Sequence, residues 1–70
     1  PALYLTEAEA SRLKNGNALS FINRVDFDRL TSANINTEDG DTAAAFYNGK
    51  LIAMVNITGP RIQPERVFKL

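Results

Sequence analysis

The sequence predicts one small domain that is mainly β with one helix, in which a mostly antiparallel sheet closes into a partial barrel. Three observations predict this class. An Asn48-Gly49 dipeptide separates two strand-like segments, the second of these segments is apolar on both faces, and helix signals are confined to a stretch near the N-terminus. The length of 70 residues suffices for a single domain, 1–70, and excludes a second one.

The predicted helix spans residues 7–15. Thr6 and Glu9 have the capping-box spacing, in which each side chain accepts a hydrogen bond from a backbone N–H at the helix start. Gly16 can adopt the left-handed conformation that ends a helix. The apolar face of this helix is narrow, so it can cover one edge of a sheet while the strands supply most of the core.

Short strands and a loop are predicted between the helix and the hairpin. Residues 18–22 are apolar and aromatic, which is typical of a strand. Val25 and Phe27 alternate with charged residues, which favours a second short strand. Residues 31–41 are rich in Thr, Asn, Asp and Gly, a composition that predicts a mobile acidic loop.

The hairpin is the strongest local signal. Residues 43–47 lead into Asn48-Gly49, which readily takes the positive φ angles of a type I′ turn, and residues 50–57 follow as the second strand. Because that strand is apolar on both faces, we expect it at the centre of the sheet. Residues 61–70 form the last extended stretch, and Pro64 places it at an edge or a bulge because proline has no N–H to donate.

Charge is unevenly distributed along a chain whose formal net charge is zero. Residues 1–41 hold four basic and seven acidic side chains, a balance of −3, and residues 42–70 hold four basic and one acidic, a balance of +3. If the fold brings the C-terminal basic residues beside Arg12 and Lys14, a modest polyanion-binding face results. The alternative is an ordinary solvated surface.

Catalytic and metal chemistry lack their usual residues. The chain has no Cys and no His, so it offers no disulfide, no Cys or His nucleophile pair and no Cys/His metal set, and we predict no cofactor. The lack of Cys fits a cytoplasmic location. No apolar run reaches the roughly 20 residues of a membrane helix, which predicts no membrane partner.

Two close pairs of acids could be read as acid/base or metal carboxylates: Asp26 with Asp28, and Asp39 with Asp41. The calcium-loop pattern fails, however. Aligning Gly40 with the loop glycine places Ile35 and Thr37 where oxygen ligands belong. Solvated loop charge is the better interpretation of both pairs.

Several peptides, in order, form a distinctive pattern. A leading Leu-containing extended piece and a Thr-Glu helix are followed by these segments: Arg12-Leu13-Lys14-Asn15-Gly16, Tyr47-Asn48-Gly49-Lys50-Leu51-Ile52-Ala53, and Ile62-Gln63-Pro64-Glu65-Arg66-Val67-Phe68-Lys69-Leu70. The pattern resembles the C-terminal PUA-type RNA-binding domain of bacterial tRNA pseudouridine-55 synthases, whose alphaproteobacterial members commonly finish in a similar Pro-x-Arg-Val-Phe-x-Leu peptide.

The resemblance implies a small PUA-like β pseudo-barrel that acts as an accessory tRNA-binding domain. Its partners would be tRNA and an N-terminal catalytic domain of the same polypeptide, which isomerises uridine to pseudouridine in the TΨC loop; no DNA partner is implied. No Asp of this chain lies in the Gly-x-Leu-Asp type of context that the family uses, so we assign no catalytic residue. The sequence starts at Pro1 and not at Met, which indicates either removal of the initiator or a fragment of a longer protein. Of the two we expect a fragment of a longer enzyme.

The RNA-binding elements of PUA domains are the first helix, the loop after it and the last strand. The matching residues of this sequence are Arg12, Lys14, Asn15, Gly16 and Asn17, with Arg61, Arg66 and Lys69 as neighbours. Basic side chains would hold phosphates, and Gly16 would allow a backbone to approach closely. The neutral net charge and the acids at 38–41 predict weak affinity for the isolated domain.

Two other functions compete with this interpretation. A thin core and zero net charge suit a small β-barrel that docks a protein partner without binding RNA. A free-standing enzyme would require turnover without any partner domain, and the residues described above do not favour it.

Overall fold

The computed structural model describes residues 1–68, which form a five-stranded mixed sheet and two short helices. The elements are β1 (Ala2–Tyr4), α1 (Glu7–Lys14), β2 (Leu19–Ser20), α2 (Arg24–Ser32), β3 (Asp41–Tyr47), β4 (Lys50–Thr58) and β5 (Arg61–Val67). The strand order is β1-β3-β4-β5-β2, with β1 parallel to β3 and every other pair antiparallel. The predicted small PUA-like, mostly antiparallel β fold is confirmed. Neither helix is long and apolar enough to cross a membrane.

Helix α1 agrees with its prediction to within one residue. Both hydrogen bonds of the capping box form between Thr6 and Glu9. At the other end the N–H of Gly16 donates to Leu13 O (2.9 Å) and the N–H of Asn17 donates to Arg12 O (2.9 Å). Gly16 has φ +81°, so these two bonds close the helix in a Schellman motif.

The second short strand predicted around Val25 and Phe27 is wrong, and so is the prediction of a single helix: these residues lie in α2. The Asn23 side chain caps α2 by accepting a hydrogen bond from the Asp26 N–H (2.8 Å). Phe27 and Leu30, three residues apart, face the core, whereas Val25 is exposed. The cap and this three-residue spacing outweigh the two-residue alternation that favoured a strand.

The segment predicted as a mobile acidic loop is a hydrogen-bonded turn. The first two residues of this segment belong to α2. Asn34 then has φ +60° and ends the helix in a second Schellman motif, after which the Ile35 side chain is buried in the core. The Asn36 side chain accepts from the Asp39 N–H (3.1 Å), and the Asn36 N–H donates to the Asp41 carboxylate (3.0 Å). Ile35 and these bonds therefore anchor the turn at both ends.

The β3–β4 hairpin is as predicted. Asn48 and Gly49 have φ of +51° and +80°, the two positive angles of a type I′ turn, and β4 lies at the centre of the sheet. Pro64 lies at a bulge, as expected, because Val55 pairs with Pro64 while the preceding Met54 pairs with Arg66. Strand β2 is shorter than the predicted 18–22 and pairs with Arg61 and Ile62 of β5.

The pairing register separates the sheet into two faces. One face, with Leu13 of α1 and Leu30 of α2, forms the core, and its strand residues include Val55, Ile57 and Ile62. The opposite face, called the outer face below, carries the residues that alternate with them. It comprises Ala2 and Tyr4 of β1, Thr42, Ala44 and Phe46 of β3, Leu51, Met54, Asn56 and Thr58 of β4, and Arg61, Gln63 and Arg66 of β5.

Candidate nucleic-acid interface

An open groove lies where the loop after α1 meets the outer face of β4 and β5. Its volume is about 390 Å³, and its lining includes Gly16, Asn17, Asn56, Arg61, Gln63 and Glu65. The helix-end loop and the last strand, two elements far apart in sequence, thus form one concave surface. It combines side-chain amides and a guanidinium, the donors that bind phosphate and sugar oxygens.

The loop side of this groove is shaped by the end of α1. Gly16 has open space on its side-chain position, with no atom within 4 Å of where a Cβ would lie. The N–H groups of Gly16 and Asn17 are already bonded to carbonyls of α1, so they close the helix and do not face a ligand. Contacts from this side therefore come from the Asn17 side chain and from the close approach that Gly16 permits.

Arg12 lies in a different depression. Its Nη2 donates to Ala18 O (3.1 Å), which ties the end of α1 to the chain entering β2. The depression around Arg12 is lined by Glu9 and Asp26 as well as by residues 18–21. The structure thus joins Gly16, Asn17 and Arg61 in one groove and places Arg12 beside acids on the other side of Ala18.

The remaining predicted residues are distributed around the groove. Lys14, the last residue of α1, and Asn15, its cap, are exposed at the same helix end. Arg66 is exposed on the outer face opposite Met54, on the same strand and face as Arg61. Lys69 lies outside the described residues.

Acidic groups moderate the charge of the groove. Glu65, at the β5 bulge, lines it together with Arg61. The Gly59 N–H donates to Thr37 O (2.8 Å), so the acidic turn at 36–41 lies beside the turn that leads into Arg61. Opposite charges so close together favour modest, salt-sensitive binding of a polyanion.

The Arg29 side chain joins several elements of the fold, a role that no pattern in the sequence indicated. Its Nη2 donates to Tyr4 O (2.7 Å), both terminal nitrogens donate to the Glu9 carboxylate (2.8 and 2.9 Å), and Nη1 reaches Asp26 (3.2 Å). Its guanidinium carbon lies 4.6 Å from the centre of the Phe21 ring. One side chain of α2 thereby fixes α1, β1 and the residue after β2, the frame on which the groove is built.

The Glu9–Arg29 pair is ionised in the folded protein. Partial burial raises the pKa of Glu9, but hydrogen bonds from Arg29 and Thr6 and the charge of Arg29 outweigh burial and hold it below its ordinary value of 4.5. The Glu9 hydrogen bonds likewise raise the pKa of Arg29. No local pattern signals this pair, because its members are 20 residues apart and meet only when the helices pack.

The amino-acid sequence is similar to part of a known enzyme. The chain is 39% identical over all 70 residues to tRNA pseudouridine synthase B of Rhodospirillum rubrum, and it spans 21% of that protein's length. No protein-family model matches the chain, and no solved structure gives a significant match. The matching part of the relative is its C-terminal region, as the sequence motifs predicted. The chain is thus similar over its whole length to the C-terminal region of a tRNA pseudouridine synthase B.

Proposed function

We propose that the chain is an accessory tRNA-binding domain of a cytoplasmic tRNA pseudouridine synthase. The groove between the helix-end loop and β5 would hold tRNA through its sugar-phosphate backbone, with Arg61 as the main phosphate contact and Asn17 and Gln63 as hydrogen-bond donors. The isomerisation of uridine to pseudouridine would belong to an N-terminal catalytic domain of the same polypeptide.

One observation carries the proposal: two elements far apart in sequence, the loop at 16–18 and the strand residues Arg61 and Gln63, line one groove. The relative is named for acting on tRNA, and a groove of this composition suits the tRNA backbone. Contacts of this kind hold and orient an RNA without reading its sequence.

Replacing Arg61 with Gln tests the groove. Because Arg61 is exposed, we expect tRNA affinity at low ionic strength to fall about fivefold, the equivalent of about 1 kcal/mol, without loss of fold. The dependence of log K on log salt concentration should become shallower by about 1, since one phosphate contact is lost. Fluorescence anisotropy with labelled tRNA at several salt concentrations measures both effects.

The matched control is Arg24→Gln, which removes the same charge from an exposed position at the start of α2. It should change neither the affinity nor the salt slope appreciably. The double variant Arg12→Ala, Lys14→Ala reports separately on the helix end. The proposal is contradicted if the unsubstituted chain fails to bind tRNA at low salt, or if Arg24→Gln and Arg61→Gln weaken binding equally.

A second candidate function rests on exposed apolar side chains. Ile22, just before the Asn23 cap, and Val25, in the first turn of α2, are 80% and 75% exposed. Large apolar side chains so close together on a surface suit a protein contact, and the catalytic domain of the same polypeptide is the nearest partner of that kind. A chain that does not bind tRNA at low salt would favour this docking role in place of RNA binding.

A further inference from the structure

From the outer face of the sheet we infer a second RNA subsite: Tyr4, stacked on Phe46, forms a platform for an unpaired nucleobase, reached by a strand whose phosphates lie along Arg61 and Arg66. This inference rests on the proposed tRNA binding and extends it from backbone contacts to a base contact. It assigns a role to the edge of the sheet farthest from the groove.

The two aromatic rings are already arranged as a platform. Tyr4 and Phe46 are register neighbours on β1 and β3, with ring centres 5.9 Å apart and planes inclined by 30°. Tyr4 is 72% exposed, so most of its ring surface is in solvent although one side is supported by Phe46. A ring held in this way can accept a base by stacking with little further loss of side-chain freedom.

The platform and the groove share one continuous face. Strand order places β3 and β4 between β1 and β5, so three spacings of about 4.8 Å separate the strands of Tyr4 and Arg61 by about 14 Å across the sheet. Tyr4 is in register, through Phe46, with Leu51, whereas Arg61 pairs with Thr58, so the two residues are also offset by about 23 Å along the strands. The outer-face residues of β3 and β4 that lie between them are uncharged: Thr42, Ala44, Met54 and Asn56. A single strand of RNA can therefore extend from one subsite to the other without passing a carboxylate on these two strands.

Charge on this face favours RNA over protein as the occupant. Its charged members by register, Arg61 and Arg66, are basic, and Glu65 at the β5 bulge is the one acid that lines the groove beside them. Two basic groups against one acid leave this part of the face net positive, and an apolar protein surface seated over Met54 and Arg66 would bury a guanidinium, which is costly. RNA phosphates would neutralise both arginines, and a nucleobase would cover the Tyr4 ring. One RNA strand could therefore bind both the basic and the aromatic side chains of this face.

The test uses Tyr4→Ala and Tyr4→Phe with two probes, a short unstructured single-stranded RNA and an RNA duplex of the same length. We expect Tyr4→Ala to weaken single-strand binding about tenfold, within the range of one lost base stack, and to leave duplex binding unchanged. Tyr4→Phe keeps the ring and should bind as the unsubstituted protein does. Thermal melts of each variant report any change in folding.

A direct readout comes from Tyr4→Trp, because the sequence contains no other Trp. The indole fluorescence should be quenched by the single strand and not by the duplex. If the chain binds tRNA but Tyr4→Ala binds the single strand normally and the indole is not quenched, the platform is wrong and the groove stands. If the unsubstituted chain binds no RNA probe, both proposals fail.

Discussion

Replacing Phe21 with Ala should lower the free energy of unfolding by about 3–5 kcal/mol, the usual cost of deleting a buried phenyl ring. Phe21 is 2% exposed, and the Arg29 guanidinium lies over its ring. A domain of 70 residues has a total stability of roughly 4–10 kcal/mol, so this variant should lose about half of its stability. Urea unfolding followed by circular dichroism measures the loss.

The adjacent residue supplies the matched control. Ile22 is 80% exposed, so Ile22→Ala should change the free energy of unfolding by no more than about 0.5 kcal/mol. Two large apolar side chains, next to each other in the sequence, should thus differ severalfold in their effect on stability. Equal losses for the two variants would contradict the packing described for the chain after β2.

Replacing Arg29 with Met should cost about 2–3 kcal/mol, because the change removes hydrogen bonds to charged groups and leaves the partly buried Glu9 without its partner. The double variant Glu9→Gln, Arg29→Met should lose less than the sum of the two single changes, since Gln retains the capping bond and needs no cation. Urea unfolding of all four proteins completes the cycle. Strict additivity would show that Glu9 and Arg29 are not coupled.

The same pair predicts an acid-dependent loss of stability. The folded state lowers the pKa of Glu9, so its stabilising contribution is present above the ordinary value of 4.5 and is lost as pH falls through the lower, folded-state value. The unsubstituted protein should therefore lose more stability on acidification through this range than the Arg29→Met variant does. Thermal melts at a series of pH values below 5 make the comparison.

Elements specified by neighbouring residues could be predicted from the sequence. Asn48-Gly49 defines its turn through backbone angles that few other residues adopt, and Thr6 with Glu9 and Gly16 define both ends of α1. Pro64 allowed the β5 bulge to be predicted because proline cannot donate a backbone hydrogen bond. In each case the deciding interaction lies within a few residues of the chain.

Helix α2 was missed because two local patterns conflicted. Alternation at Val25 and Phe27 covers only the five residues 24–28, whereas the Asn23 cap and the pair Phe27 and Leu30 extend over eight. The choice between them is made by packing: Leu30 is fully buried and Val25 is left in solvent. Asn23 three residues before Asp26 was the signal in the sequence that could have revealed the helix start.

The sequence indicated which elements form the candidate site, but it did not indicate which of their residues lie on one surface. The resemblance indicated the helix end and the last strand, and the fold joins Gly16, Asn17 and Arg61. Arg12 is drawn to the opposite side by its bond to Ala18, which depends on tertiary geometry. The Tyr4–Phe46 platform depends on parallel pairing between strands about 40 residues apart, a contact that no local pattern specifies.

An amide chemical-shift titration of the isotopically labelled chain with tRNA at low ionic strength tests most directly whether tRNA binds in the groove. We expect the largest changes in the helix-end loop and on the first part of β5, at Gly16, Asn17, Arg61 and Gln63, and we expect them to disappear on adding salt. Changes confined to Ile22 and Val25, or no changes at all, would contradict tRNA binding through this groove.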